Sequence, residues 1–372
     1  MIRSPKATNF QAIMTLMLAL GLTNHVFIIP ALLQIAKRDA WFSVLLSAVP
    51  FALVVCLIRY ASSRIGTQPL PEWIRHRLGR IPAFGFQWAM TAFFFATAWF
   101  SLYDTVMWMK VTFLPYTPVL ASSLILMLLC FVGALKGMKT IAVTSGILLP
   151  LVVLLGFYVA IVNVEFKDYS LLFPLLEQGW IPVFKGVLYA CAGLFEIFFV
   201  FFLHPYLKAP LTRIQFIVFS LILLGLMLGP LTGAITEFNP FEAAVQRYPA
   251  YEEWRIAGFG KYVSQTDFFS ICQWLSGSFI RISFAMIVIA DMWKKQNPRW
   301  RPTLLAVLAF ILILLSCYTF TDIVFQRPAV RPTRRPDRHS VPDPIFPDFL
   351  RRQASPVCCR DGAGAFDHLN LL

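Results

Sequence analysis

Three ionisable residues stand inside long apolar stretches of this chain: Asp104, Glu196 and Arg281. A charge at bilayer depth is expensive, so such a residue is a functional candidate by default and needs a partner. Glu196 closes the segment CAGLFE (Cys191–Glu196), just after Gly193. The competing reading is a buried Glu–Arg pair that fixes helix packing, and the two readings are compatible. About half a chain earlier, LALGLTNHVFIIP (Leu18–Pro30) sets Gly21, Leu22, Thr23, Asn24 and His25 in the middle of an apolar run from Phe10 to Ile35, with Pro30 behind them. Gly and Pro weaken a helix, and small polar side chains bond the backbone groups that are freed. Such backbone survives at membrane depth only where protein or a water-filled cavity satisfies it. The pattern predicts two discontinuous helices that pair near the midplane, as in inverted-repeat carriers. Free amides at a half-helix N-terminus would favour a carboxylate; a plain kink is the simpler alternative.

Other residues carry weaker signals. His25, alone in an apolar span, reads first as a hydrogen-bonded packing residue. Thr97, Trp99 and Tyr103 share a span and suit a pocket wall, although an aromatic stripe is commonly packing. Ser276, Gly277 and Ser278 suit either a polar lining or close helix approach. Enzymatic signatures are absent: there is no GxxxxGK[ST], HExxH, GxSxG or dinucleotide fingerprint. The seven cysteines show no CxxC and no Cys/His spacing for zinc, and read as reduced, buried structural thiols. No cofactor or metal is expected.

The composition states what must position these residues. Hydrophobic residues make up 58% and charged residues 14%, against about 25% charged in soluble domains; mean hydropathy is +0.69. This is an integral membrane protein. The net charge of +13 does not point to nucleic acid, because the Lys and Arg residues sit in short loops between apolar runs. Nine spans are predicted: 10–35, 40–60, 82–112, 118–135, 140–163, 183–207, 213–235, 263–292 and 302–325. The first is too long for a signal-peptide core and lacks a small-residue cleavage site. Segment 68–79 is too polar to cross and reads as a short amphipathic surface helix. The loop at 236–262, rich in Glu, Tyr and Trp, is expected to cap a vestibule.

Lys and Arg favour a cytoplasmic N-terminus by nearly two to one. The first and sixth spans then run antiparallel. After residue 325 the text turns abruptly to Pro and Arg, where a five-plus-five repeat needs a tenth span. Residues 326–372 read either as a disordered tail or as the product of a reading-frame change, following a helix bundle over 1–325.

Several segments read together resemble a known family. They are Gln11 with the Gly21 break and Pro30; Asp39-Ala40-Trp41; DYSLLFP (Asp168–Pro174) with Gly179 and Pro182; Gly193 with Glu196; NPFEAAVQ (Asn239–Gln246); and Thr266-Asp267 before Trp274. From about residue 8 to 325 the chain resembles the B subunit of spore germinant receptors, the GerAB-type spore germination proteins of the amino acid–polyamine–organocation superfamily. The resemblance implies an all-α, LeuT-like five-plus-five inverted-repeat bundle, here with its tenth span missing. It implies a small germinant, usually an amino acid, bound between the first, third, sixth and eighth spans. It also implies partner A and C subunits and residence in the spore inner membrane. By position, Gly21, Thr97, Leu194 and the stretch around Arg281 fall at the family's pocket. The candidate ligand set is therefore Gly21, Leu22, Thr23, Asn24, Thr97, Tyr103, Gly193, Leu194, Glu196, Ser278 and Arg281. Arg281 departs from the small polar residue expected there and points to an anionic ligand or an altered site. An amino acid transporter of the same superfamily and a non-functional remnant are the alternatives. The fifth span carries no mid-span Lys, which leans against a proton-coupled carrier.

Overall fold

A repeated cap opens two of the apolar helices. Thr8 and Gln11 bond each other's backbone amides ahead of Asn9–Leu22, and Thr212 and Gln215 do the same ahead of Arg213–Phe238. Each box satisfies two amides that the first helical turn leaves without partners. The computed structural model describes residues 7–258, 265–293 and 299–318, all within one compact unit. Those residues are overwhelmingly helical; the one strand-like feature among them is an isolated bridge between Ala7 and Leu207.

Eight helical runs among the described residues are long and apolar enough to cross a membrane. The first, Asn9–Ile65, has 57 residues, about 85 Å at 1.5 Å per residue and more than twice a bilayer core. It divides at the short 3-10 turn Lys37–Asp39, where Lys37 adopts a φ of 46°. Two spans result, matching the predicted first and second. The third to ninth spans are Arg80–Thr112, Val119–Lys136, Met138–Val162, Trp180–Leu203 with an irregular middle, Arg213–Phe238, Phe269–Met292 and Trp300–Cys317. The polar segment forms the predicted short helix, Leu70–Leu78. The eighth span starts later than predicted, at Phe269, because Thr266 and Asp267 make a turn: Thr266 donates to the Ala257 carbonyl and Ser270 to that of Asp267. The last predicted residues of the ninth span, the missing tenth span and the 326–372 tail lie outside the described residues.

Leu53, Leu57, Ile147, Leu154 and Phe310 point outward and are exposed. Large apolar side chains facing away from the core are what lipid contact requires, so these helices bury only one face within the protein. The eighth span differs. Every residue from Ile280 to Ala290 is buried, and it packs against the first, third, fourth and fifth spans. Cys130 and Cys191 are buried as expected, but Cys56 lies on the exposed face of the second span.

The residues that carried the family resemblance act as a staple at the end of the bundle away from the N-terminus. Asp39 Oδ1 accepts from the Leu176 amide at 2.8 Å, and Trp41 Nε1 donates to the Leu172 carbonyl at 3.4 Å. The fifth-to-sixth connection is held onto the start of the second span. Asn239, in a left-handed conformation, caps the next short helix by accepting from the amides of Phe241 and Glu242. That helix, Pro240–Val245, and its successor Pro249–Ile256 form the expected cap.

Candidate functional site

The first span does not unwind at its centre. Thr23–Phe27 is a π-helical turn, with the Ile28 amide bonded to the Thr23 carbonyl. In the sixth span Phe195–Phe199 tightens to a 3-10 helix. The expected discontinuity is thus a change of winding at both places, and the amides of Thr23 and Ile28 are spent inside the helix. A π-turn inserts one residue into the helical ladder, so it re-aims the side chains beyond it without breaking the chain of hydrogen bonds.

His25 has a structural task there. Pro230, inside the seventh span, has no N–H, so the Leu226 carbonyl four residues earlier loses its helical donor. His25 Nδ1 lies 3.2 Å from that carbonyl and must be the donor, because a carbonyl can only accept. With that proton on Nδ1, Nε2 is the acceptor in the neutral form of the ring.

The two irregular turns sit close together. Asn24 Nδ2 donates to the Leu20 carbonyl at 2.9 Å and to the Gly193 carbonyl at 3.4 Å. A Cβ on Gly193 would meet Asn24 Oδ1 at 2.8 Å and Ile28 at 3.0 Å, so glycine is what lets the sixth span approach the first. Thr23 Oγ1 and Asn24 Oδ1 are buried without a hydrogen-bond partner.

Glu196 and Arg281 form a buried bidentate pair. Arg281 Nη1 lies 2.7 Å from Glu196 Oε2 and Nη2 lies 2.5 Å from Oε1. Nη1 also donates to the Ala19 carbonyl at 2.7 Å, and Nε donates to Ser101 Oγ at 3.1 Å. Four of the five guanidinium N–H groups are thereby placed. The cation also lies 5.7 Å from the centre of the Phe199 ring, within cation–π range. This one side chain ties the eighth span to the first, third and sixth. Arg281 is 4% exposed and Glu196 8%, so neither charge is solvated by bulk water.

The remaining predicted residues distribute around this pair. Ser278 Oγ and Thr105 Oγ1 are 2.6 Å apart, which joins the third and eighth spans. Gly277 packs against Leu18 and Leu22 of the first span, so the small residues of the eighth span serve close approach. Thr97 and Leu194 are buried; the Thr97 carbonyl accepts from Ser101. Tyr103 is buried with its ring 6.2 Å from Trp99. Asp104 accepts from Tyr248 Oη at 3.2 Å.

Ser101, Ala19, Phe199 and Tyr248 were missed from the sequence. Ser101 lies four residues after Thr97 and so shares its helix face, a usable signal. An alanine carbonyl carries none.

Tyr248 belongs to the cap. With Tyr251 and Trp254 it packs on Trp108 and Trp274, whose rings stack 4.2 Å apart, and on Leu22 and Val26. Burial raises the Tyr248 hydroxyl far above its ordinary value. Burial, with the Asp267 charge second, pushes Tyr251 up to about 12. Both stay neutral donors, Tyr248 to Asp104 and Tyr251 to Asp267.

Two large cavities lie away from the ion pair. One, about 1350 Å³, opens at the end bearing the N-terminus, among Arg75, Arg80, Lys136, Lys139 and Arg301, with Glu72 and Asp291 as its acids. Asp291 accepts from Tyr206 there and pairs with Arg301 at 3.4 Å. The other, about 610 Å³, lies beneath the cap between the first, fifth, seventh and eighth spans. Of the predicted set, only Gly21 and Leu22 line it. Among the described residues no group of three His, Cys, Asp or Glu is arranged to hold a metal.

Comparison with known proteins agrees with this architecture. The family model described as spore germination protein matches residues 7–323. The chain is 35% identical to Spore germination protein XB of Bacillus anthracis over 316 residues, which is 85% of this chain and 89% of that protein. A multi-pass helical bundle with a matching sequence along almost its whole described length places the chain in the spore germination protein family.

Proposed function

We propose that this chain is the membrane subunit of a spore germinant receptor and that it binds a small zwitterionic germinant, an amino acid, at the Glu196–Arg281 pair. The observation that carries this reading is the pair itself. It is buried, bidentate and shared among four spans, and it sits beside the two turns of altered winding. A guanidinium grips a carboxylate in a two-pronged fit, and a carboxylate accepts from an ammonium. An α-amino acid offers both complements a few ångströms apart. Entering between the partners, it exchanges one internal ion pair for two external ones, with no net charge added to the site. Opening the pair releases Ala19, Ser101 and Phe199 as well, so binding alters how the first, third and sixth spans meet the eighth. That is the shape change a receptor needs to inform its partner A and C subunits.

The same reading carries the five-plus-five inverted repeat, the cytoplasmic N-terminus and the spore inner membrane as expectations of the family resemblance. The large basic vestibule at the N-terminal end favours a second reading, a secondary carrier of amino acids. Uptake of labelled amino acids into proteoliposomes separates the two: saturable uptake supports the carrier.

The direct test is germination. A deletion strain is screened against amino acids and sugars to find the germinant, then complemented with Glu196→Gln at matched protein abundance. The expected result is a dose curve shifted to higher germinant concentration. An unchanged curve removes Glu196 from both the site and its coupling.

A further inference from the structure

The cavity beneath the cap is distinct from the ion pair, and it has a polar end. Its walls are apolar: Leu22 and Val26 of the first span, Leu149 and Val153 of the fifth. On the seventh span it runs along Gly225 and Gly229, where an added Cβ would meet nothing within 4 Å. Those two glycines, one turn apart, leave a trough. At about 610 Å³ the space is in the ordinary range for small-molecule sites, about 300–1,000 Å³.

The polar end is a cluster of two acids and one base. Lys167 Nζ lies 3.5 Å from Glu237 Oε1 and 3.4 Å from the Ala160 carbonyl. Asn163 Nδ2 donates to Glu237 Oε2 at 3.0 Å and to the Glu253 carbonyl at 2.8 Å. Glu253, on the second cap helix, is 7% exposed and lines the cavity. Its carboxyl is pressed against the bare face of Gly233, and its Oε1 has no hydrogen-bond partner. A buried polar atom left unpaired is costly, and two carboxyls share the single Lys, so Glu253 has no countercharge of its own and an ammonium would supply one. His25, with Nδ1 spent on Leu226, lines the same space, and its Nε2 accepts in the neutral form of the ring.

A buried carboxyl and an imidazole among the residues that line an apolar chamber define a complementary ligand. We infer that this cavity is a second ligand site, separate from the Glu196–Arg281 pair, which binds a hydrophobic amine with its ammonium at Glu253 and its apolar body along Gly225 and Gly229. An occupant bridges the cap helix Pro249–Ile256 to the first span, so it stiffens the cover over the bundle.

The test uses the full chain in nanodiscs and phenethylamine as probe, with 3-phenylpropionate as the matched anion. Titration calorimetry is expected to show saturable phenethylamine binding and none for the anion. Glu253→Gln keeps the side-chain shape and removes the carboxyl that an ammonium would ionise; it should weaken binding about 10- to 100-fold, the worth of one hydrogen bond to a charged group. Gly225→Leu with Gly229→Leu fills the trough from positions where an added Cβ meets nothing within 4 Å and should abolish binding while the melting temperature holds or rises. The inference is overturned if phenethylamine shows no saturable binding, or if the anion binds as well. It is also overturned if Glu253→Gln and the double leucine variant bind normally. A phospholipid retained by the parent and lost from the leucine variant, with no amine response in either, makes the cavity a lipid site and equally overturns it.

Discussion

Breaking the central ion pair from one side should be far more damaging than removing it whole. In Glu196→Gln the guanidinium keeps its charge, at 4% exposure, and loses the carboxylate that balances it. An amide can still accept one of the two bonds at 2.5 and 2.7 Å, but it supplies no countercharge. Arg281→Met leaves the reverse problem, a carboxylate with Ser101 and the Ala19 carbonyl stripped of their donor. Unpairing a buried ion pair in this way costs about 3–5 kcal/mol, or about 100- to 4,000-fold in the folded-to-unfolded ratio at 1.4 kcal/mol per decade. If the two effects were independent, the double variant Glu196→Met with Arg281→Met would lose about 6–10 kcal/mol. Because the two charges answer each other, it should instead lie near the parent, and replacement by well-packed apolar residues can even stabilise by about 1–4 kcal/mol. The assay is a double-mutant cycle on thermal unfolding of the chain in nanodiscs, read beside its abundance in membranes. The double variant is expected to fold and to be silent toward germinant, since both complements to a zwitterion are gone. Single variants each within about 0.5 kcal/mol of the parent, the ordinary scatter of surface substitutions, would refute the reasoning.

Three further outcomes are expected. Replacing His25 by Phe orphans the Leu226 carbonyl and should cost about 1–3 kcal/mol; adding Pro230→Ala restores a helical donor and should recover most of it, so a second substitution with no effect on melting would show that the histidine is not repairing the proline gap. Glu253 is held well above the ordinary carboxylate range, first by burial and then by the charge of Glu237. The folded chain therefore keeps a proton that the unfolded chain has released, and stability should fall as pH rises from about 4.5 through that raised value. Melting temperature against pH measures this, and the slope should flatten in Glu253→Gln. Finally, single cysteines at Ser63 and Ala250 are expected to label from opposite faces of the membrane, the first from the cytoplasm; labelling of position 250 from the cytoplasm reverses the orientation.

The pattern of what the sequence made legible follows from how each residue's environment is determined. Glu196 and Arg281 stand out because they are charges in otherwise apolar runs, where a partner is compulsory; a Glu–Arg pair is one reading of them, with Asp104 as a second acid in such a run. The winding of the first span is different. Gly21, Asn24, His25 and Pro30 announce an irregularity, but whether the chain unwinds or adds a π-turn depends on what lies across from it. Here that is a carbonyl freed by Pro230, two hundred residues away, and no local signal links the two. The acids of the second cavity were harder still. Glu237 and Glu253 occur at a span end and in a loop, where acids are ordinary and solvent is the default. Only the fold shows that the cap turns Glu253 inward onto the bare face of Gly233.

The two sites thus differ in what a ligand must overcome. At the central pair every charge is already answered, so a zwitterion gains only the difference between its own ion pairs and the one it displaces. On the proposed function its affinity would be held down by that exchange, while its effect would reach four spans. Under the cap Glu253 lacks a countercharge of its own, and on the proposed reading an amine would supply one, displacing only the proton that the carboxyl keeps. A molecule at the second site would therefore bind without opening the core, and its influence would run through the cover that Tyr248 fastens to Asp104. On the two proposals together, the switch would lie at the ion pair and a modulating contact at the lid.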